Sequence, residues 1–475
     1  MDELISKQQI KMKMKNRLYN KKMIVAITIA TIMVFMAGCD SFLDLKSSNN
    51  YATVSTIEDV EAILNNTQIM NFRSPCLGEA SADDIYIPDQ VYDRITKNSS
   101  RDTYIWKETD YGQASSPWGT TYETVFYANV CLEALEKMSA EEKQEVRWAR
   151  ARAAALVFRS NAFLQGIWIW GKAYDESTAG NDLGMVIKTN PDVNEPSVRK
   201  SVKDTYQQII GDLNDAIKYL PNIAEVPVTP SKAAAYGLLA RTYLSMRQYE
   251  TAGLYADSCL QLNNELMNFN TDINIPAPTS SVNPFNIFNK EVIFSTVIGS
   301  FYFAVSPTYA VIDTMLIYSY DDTDLRRRVF FRNTANGAAM RGNYSQSSSQ
   351  YFTGISTAEM MLVRAECMVR ENFVREGLEL IDWLRTHRYS NGIRPALNME
   401  MTQQEALDMV LVERRKELVM RSLRWMDVKR LNKEGRNILL KRYVNGEEYL
   451  LLPNESKYAR PLPTDVIALS GMLQN

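Results

Sequence analysis

SKAAAYGLLARTYLSMRQYETAGLYADSCLQL, residues 231–262, reads as two helices joined by a short polar break. Tyr236, Leu239, Ala240 and Tyr243 fall at helical spacing, and Tyr249, Ala252, Ala256 and Cys259 do so again beyond the break. Apolar positions three to four apart line one face of each helix. Small side chains at Ala240 and Ala252 let two antiparallel helices approach closely, which is the register of a tetratricopeptide unit. Ala and Leu four apart occur in any bundle, but the match over this stretch is fuller than generic packing requires. A weaker copy follows at an offset of 125 residues, with Met361, Ala365 and Met368, then Gly377, Ile381 and Leu384.

Outward from this pair the chain stays helical. Residues 145–171 and 202–220 are strongly periodic, the latter stopped by Pro221, and residues 410–431 read as one charged amphipathic helix. Between these segments lie two long stretches, 71–119 and 263–353, rich in Asn, Ser, Pro and aromatic residues. Insertions of that length in a helical protein carry binding surface more often than core. The expectation is a mostly α protein: a scaffold of helix pairs displaying two aromatic-rich insertions.

Composition narrows the chemistry. The 475 residues are 45% hydrophobic and 23% charged, which is ordinary globular composition. The single histidine, His387, forbids a poly-His metal site, and any triad would have to use that one imidazole. A formal charge of −3 lacks the basic excess of a nucleic-acid-binding protein. No Gly-rich phosphate loop, G-x-S-x-G elbow or H-E-x-x-H occurs, and no cofactor is implied. Cys131, Cys259 and Cys367 sit in apolar helical patterns and read as small buried hydrophobes.

The first residues read as an export signal. Seven Lys or Arg and no acid fall between residues 7 and 22, followed by an apolar run from Met23 to Ala37 broken only by Thr28 and Thr31. A basic head, a short apolar core and small residues before a cut site make a secretory signal, and the run is too short for a good membrane span. Cys39 directly after Ala37-Gly38 matches a lipobox, which makes residues 1–38 the leader and Cys39 the acylated first residue of the mature chain. Met12, Met14 and Met23 are alternative starts. Without residues 1–38 the chain has 46 basic and 54 acidic residues, so acyl chains rather than surface charge would hold it to a membrane.

At this point the residues resemble a known family. Cys39 is followed by Phe42-Leu43-Asp44, and WGTTYETVFYANVCLEAL (118–135), LGMVIKT (183–189) and SVKDTYQQIIGDLNDAIKYLP (201–221) are similar to family stretches. So are KEVIF (290–294), DTDLRRRVFF (322–331), VERRKELVMRSLRWMDVKR (412–430) and the closing ARPLPTDVIALSGMLQN (459–475). In this order they resemble the SusD/RagB outer-membrane lipoproteins of Bacteroidetes. Two departures stand out: Arg421-Ser422 replaces the usual Glu-Gly, and the Pro-Gly-Tyr tail is absent.

The resemblance implies a SusD-like helical fold, with residues 39–222 and 223–475 as N- and C-terminal regions of one compact unit. It implies a lipid-anchored protein on the outer face of the outer membrane, although Asp40 would signal inner-membrane retention by the enteric sorting rule. It further implies a SusC-type TonB-dependent transporter as partner and an oligosaccharide as ligand. The RagB branch makes peptide capture the alternative. A pure protein-interaction scaffold would not need the aromatic insertions. A two-carboxylate glycosidase would draw on Asp83-Asp84 or Asp321-Asp322, but adjacent acids point apart in most backbones, so no catalysis is expected.

Glu413, Arg414, Arg415, Arg424, Trp425 and Asp427 read as structural, with Arg–carboxylate pairs packed around a tryptophan. Sugar faces stack on aromatic rings, and Asp, Asn and Arg bond the hydroxyls. By analogy with the family's acid, arginine and stacking ring, the candidate ligand residues are Asp84, Arg94 and Trp106 in the first insertion. Tyr302, Tyr318 and Tyr320 are the candidates in the second.

Overall fold

The pair read from residues 231–262 is Lys232–Ser245 and Tyr249–Leu262 in a computed structural model, which describes residues 54–107, 116–299, 305–347 and 350–475. The main helices are α1 (Ile57–Leu64), α2 (Leu77–Ser81), α3 (Pro117–Lys137), α4 (Val146–Trp170), α5 (Val202–Ile217) and α6 (Lys232–Ser245). They continue as α7 (Tyr249–Leu262), α8 (Thr357–Arg370), α9 (Val374–Thr386), α10 (Gln403–Glu417) and α11 (Arg424–Asn432). Their starts are set by caps that satisfy orphan N–H groups. Ser231 accepts from the Ala234 amide at 3.2 Å, while Ser201 with Asp204 and Thr402 with Glu405 form capping boxes.

From α3 to α10 each helix packs on the next, so the scaffold is one continuous row of hairpins. The two tetratricopeptide-like pairs are geometric copies. Arg247 (φ 62°) turns α6 into α7, and Asn372 (φ 70°), 125 positions later, turns α8 into α9. The Gln248 amide donates to the Tyr243 carbonyl at 2.9 Å, and the Phe373 amide to the Met368 carbonyl at 2.8 Å, again at that offset. Gly377 sits where a Cβ would come within 2.6 Å of the Val369 side chain, which explains the small residue at the α8–α9 crossing.

Residues 410–431 depart from the expected single helix. The chain breaks between α10 and α11, where Met420 and Ser422 both take φ 58°. The Ser422 amide donates to Glu79 Oε2 at 2.6 Å, so the break is pinned to α2. The periodicity was correct on both sides, but two left-handed residues end one helix and restart the next.

Five two-stranded antiparallel ladders occur among the described residues, and two of them organise the insertions. Val292–Phe294 pairs with Ile355–Ser356 at the root of the second insertion, which lets α8 return to α7. Arg241 of α6 locks that root, donating to the Thr353 carbonyl at 2.9 Å and the Gly354 carbonyl at 2.6 Å, and to both oxygens of buried Glu359 at 2.6 Å. Ile85–Tyr86 pairs with Val311–Ile312 and so joins the first insertion to the second.

The insertions hold more core than expected. Phe269, Phe285, Phe330 and Tyr344 pack ring against ring, and Tyr92, Tyr104 and Tyr351 are also buried. Cys76, Cys131, Cys259 and Cys367 are buried, and Val54–Asn475 forms one compact unit.

Candidate ligand-binding site

The face that both insertions share is built over the Ile85–Tyr86/Val311–Ile312 ladder, and its foundation is an acid–arginine lattice. Arg424 clasps Asp83 through bonds of 2.7 and 2.9 Å. Arg415 of α10 donates to Asp84 Oδ1 at 3.0 Å and to the Asp83 carbonyl at 2.9 Å, and its guanidinium lies 3.9 Å from Asp313 Oδ1. The Asp313 amide in turn donates to the Asp84 carbonyl at 2.9 Å. One arginine therefore ties the end of the first insertion's ladder strand to that of the second.

Burial would raise the Asp83 carboxyl, but the Arg424 and Arg415 guanidiniums hold it well below the usual carboxylate range. At Asp84 burial prevails and the carboxyl is raised, with Arg415 opposing. Behind the lattice, buried Arg326 pairs with Asp324, Glu413 and Glu417 at 2.7, 2.8 and 3.2 Å, and Arg414 bonds Asp427 at 2.8 Å. Trp425 is buried in an apolar cluster with Trp106, Val428 and Tyr458. The Arg–carboxylate pairs read as structural are present, spread over α10 and α11.

The six candidate ligand residues separate on this frame. Asp84 (1% exposed) and Tyr320, whose hydroxyl donates to the Lys416 carbonyl at 2.7 Å, are both buried. Trp106, expected as a ligand ring, lies in the core. It is 1% exposed, its Nε1–H donates to the Ser81 carbonyl at 2.9 Å, and Arg442 lies 5.3 Å from its ring centre. Buried side chains with saturated polar atoms have nothing to offer a ligand at the surface. Tyr302 lies outside the described residues, as does Cys39.

Tyr318 is 75% exposed at the end of the helix Thr314–Tyr318, which is capped by Asp313 accepting from the Leu316 amide at 3.0 Å. Met315, on the same turn, is 73% exposed. Tyr86, half-buried on the ladder, donates to the Asn336 carbonyl at 3.2 Å. Arg94 is exposed in the loop after Asp89–Tyr92, near the hairpin turn whose Asn445 bonds Asp89 and Asp93. Sequence reading did not single out Met315, because a five-residue helix has too little period to show which side faces water.

An exposed ring and thioether beside carbonyl, carboxylate and guanidinium groups suit contact with a molecule that is apolar on its faces and hydroxylated at its edges. The acid pairs do not form an acid/base couple. Asp83 and Asp84 face guanidiniums, Asp321 accepts from the Tyr389 hydroxyl at 2.7 Å, and Asp322 is fully exposed beside Arg327. His387 follows the end of α9 and contacts the Trp383 carbonyl at 3.0 Å through Nδ1, a helix-end position. Among the described residues no group of three or more His, Cys, Asp or Glu could hold a metal ion.

Two family models match the chain in order. One, described as starch-binding associating with outer membrane, covers residues 41–244, and the SusD family model covers residues 323–474. The chain belongs to the SusD/RagB family. A SusD-like protein of Bacteroides ovatus is 26% identical over 258 residues, which is 52% of this chain and 43% of that relative. The match therefore spans less than half of the relative's length.

Solved SusD structures share the fold. A SusD superfamily protein of Bacteroides fragilis superposes with a TM-score of 0.72 at 18% identity, covering 88% of this chain and 99% of its own. A SusD-like carbohydrate-binding protein of Bacteroides vulgatus gives 0.65 at 18% identity, covering 88% and 96%. The mostly α scaffold expected from the helix pairs, and the SusD-like fold implied by the resemblance, is the one present. No helix among the described residues is long and apolar enough to cross a membrane.

Proposed function

We propose that this SusD-like nutrient-binding protein captures an oligosaccharide on the face shared by its two insertions and passes it to a SusC-type TonB-dependent transporter. The observation that carries the reading is the ladder between Ile85–Tyr86 and Val311–Ile312, which fuses both insertions into one surface bearing exposed Tyr318 and Met315. An exposed tyrosine on a short, capped helix is a pre-positioned stacking platform, and the lattice beneath it limits the ordering cost of binding. Asp84 and Tyr320 serve as supports of that platform, while Arg94 and Tyr318 are the side chains that reach ligand. Acylated Cys39 tethers the protein to the outer membrane, facing the medium.

The test is a glycan array on the chain that begins after Cys39, followed by titration of the best glycan against wild type and Tyr318→Ala. A glycan that binds wild type and loses most of its affinity in the variant supports the reading. Binding of peptides in place of every glycan would assign the face to peptide capture. Replacing Cys39 with Ala should release the protein into the soluble fraction, and retention in membranes without a partner would contradict the anchor.

A further inference from the structure

Away from the insertion face, three chain segments enclose a cavity of about 290 Å³. They are the stretch after α4 (Lys172, Thr178, Asp182), the end of α11 (Lys429, Lys433) and the loop with Ser456. Lys429 is the unusual member. It is 5% exposed, and its ammonium donates to the Trp168 and Gly171 carbonyls at 2.6 Å each, the open end of α4. That accounts for two of its three N–H bonds, and no carboxylate is in contact with it among the described residues. Burial alone lowers its pKa to about 7.

Helix-end carbonyls explain why a lysine is tolerated there. They do not explain why the cavity in front of it gathers two more ammonium groups. Lys172 pairs with Asp182 at 2.7 Å, and Lys433 reaches over to Asp175 at 3.2 Å. Among the described residues three lysines and two carboxylates, Asp182 and Glu455, line this wall, with Asp175 held to Lys433 from outside it, which leaves Lys429 as the lysine of the three that has no carboxylate partner. Thr178 and Ser456 add hydroxyls at the same wall.

We propose that this cavity binds a small organic anion whose carboxylate meets Lys429 and whose hydroxylated body meets the opposite rim, the chemistry of a uronic acid. The site is separate from the insertion face and does not depend on what binds there. An incoming carboxylate supplies Lys429 with the anionic partner that the fold withholds, and charge-assisted bonds of this kind are the stronger ones. Its hydroxyls find acceptors in Asp182 and Glu455 and partners in Thr178 and Ser456.

The test is calorimetric titration of the purified full chain with glucuronate, with glucose and inorganic sulfate as comparison ligands. Glucuronate should bind saturably, glucose should not, and Lys429→Met should weaken binding at least tenfold. The double variant Lys172→Gln/Lys433→Gln alters only partly exposed side chains, so it keeps the wild-type melting temperature and should weaken binding several-fold. If Lys429→Met does not fold, the double variant decides, and unchanged affinity there overturns the proposal. Absence of glucuronate binding by wild type, or equal binding of glucose, overturns it as well. Sulfate displacing glucuronate without loss of affinity would remove the hydroxylated body from the proposal. Neutral-glycan binding at the insertion face should be the same in wild type and double variant, which separates failure of this site from failure of the other.

Discussion

Trp106→Ala should destabilise the fold rather than blunt ligand binding directly. The ring is fully buried in a small cluster with Ala82, Trp425, Val428 and Tyr458, so its removal leaves a cavity that rigid neighbours cannot close. Truncating a buried tryptophan costs about 3 to 5 kcal/mol. Loss of the Nε1–H bond also strands the Ser81 carbonyl, which places the cost at the upper end of that range. For the 422 residues of Val54–Asn475 the unfolding entropy is about 0.9 kcal/mol/K, so a loss of about 4 to 5 kcal/mol lowers Tm by about 5 °C. Trp106→Phe keeps most of the ring and loses the hydrogen bond, for about 1 to 2 kcal/mol and a proportionately smaller shift. The assay is thermal unfolding followed by circular dichroism, with glycan titration well below the transition. A Trp106→Ala variant that melts with wild type but has lost ligand would refute this account and return the ring to the binding site.

Ser422→Gly should stabilise the protein by about 1 to 2 kcal/mol, because a serine at φ 58° is strained and its buried hydroxyl has no partner among the described residues, whereas glycine keeps the amide bond to Glu79. A fall in Tm would show that the hydroxyl has a role at the break. Glu79 gives a pH signature. Burial, with Asp84 adding to it, pushes its carboxyl up to about 8, so the folded state keeps a proton that the unfolded chain loses above about 4.5. That contribution is fully present below about pH 4.5 and disappears as pH rises towards 8. Glu79→Gln, neutral throughout, should therefore lose less Tm than wild type between pH 5 and pH 7, and parallel profiles would show that Glu79 is ionised in the fold.

Much of the scaffold was legible because helices carry a period. The α6–α7 pair, its copy at α8–α9 and the long α4 announce themselves through apolar residues three and four apart. The 125-residue offset even extends to turn residues Arg247 and Asn372, which have no side-chain likeness and share only backbone geometry. The Arg–carboxylate block at 413–427 was legible for a different reason, since so many charges on one amphipathic helix must find partners if they are buried. The break at residues 418–423 was hidden, because Met420 and Ser422 are not residue types that advertise positive φ.

The insertions were the least legible part of the chain. Asp84, Trp106 and Tyr320 look like a sugar site by residue type, and only tertiary packing sends them inward while leaving Tyr318 and Met315 outside. Nothing local distinguishes Tyr318 from Tyr320, two residues away. The ladder that pairs residue 85 with residue 312 joins positions nearly half the chain apart, and no local pattern predicts it.

The most direct test of the account is the affinity of Tyr318→Ala for the glycan that wild type binds. Stacking that removes about 60 Å² of apolar surface from water is worth about 1.5 kcal/mol, or roughly tenfold in Kd. The side chain is 75% exposed, so the variant should keep the wild-type melting temperature. A roughly tenfold weaker Kd at unchanged Tm is the predicted result. Wild-type affinity in the variant would contradict the claim that the face shared by the two insertions holds the ligand.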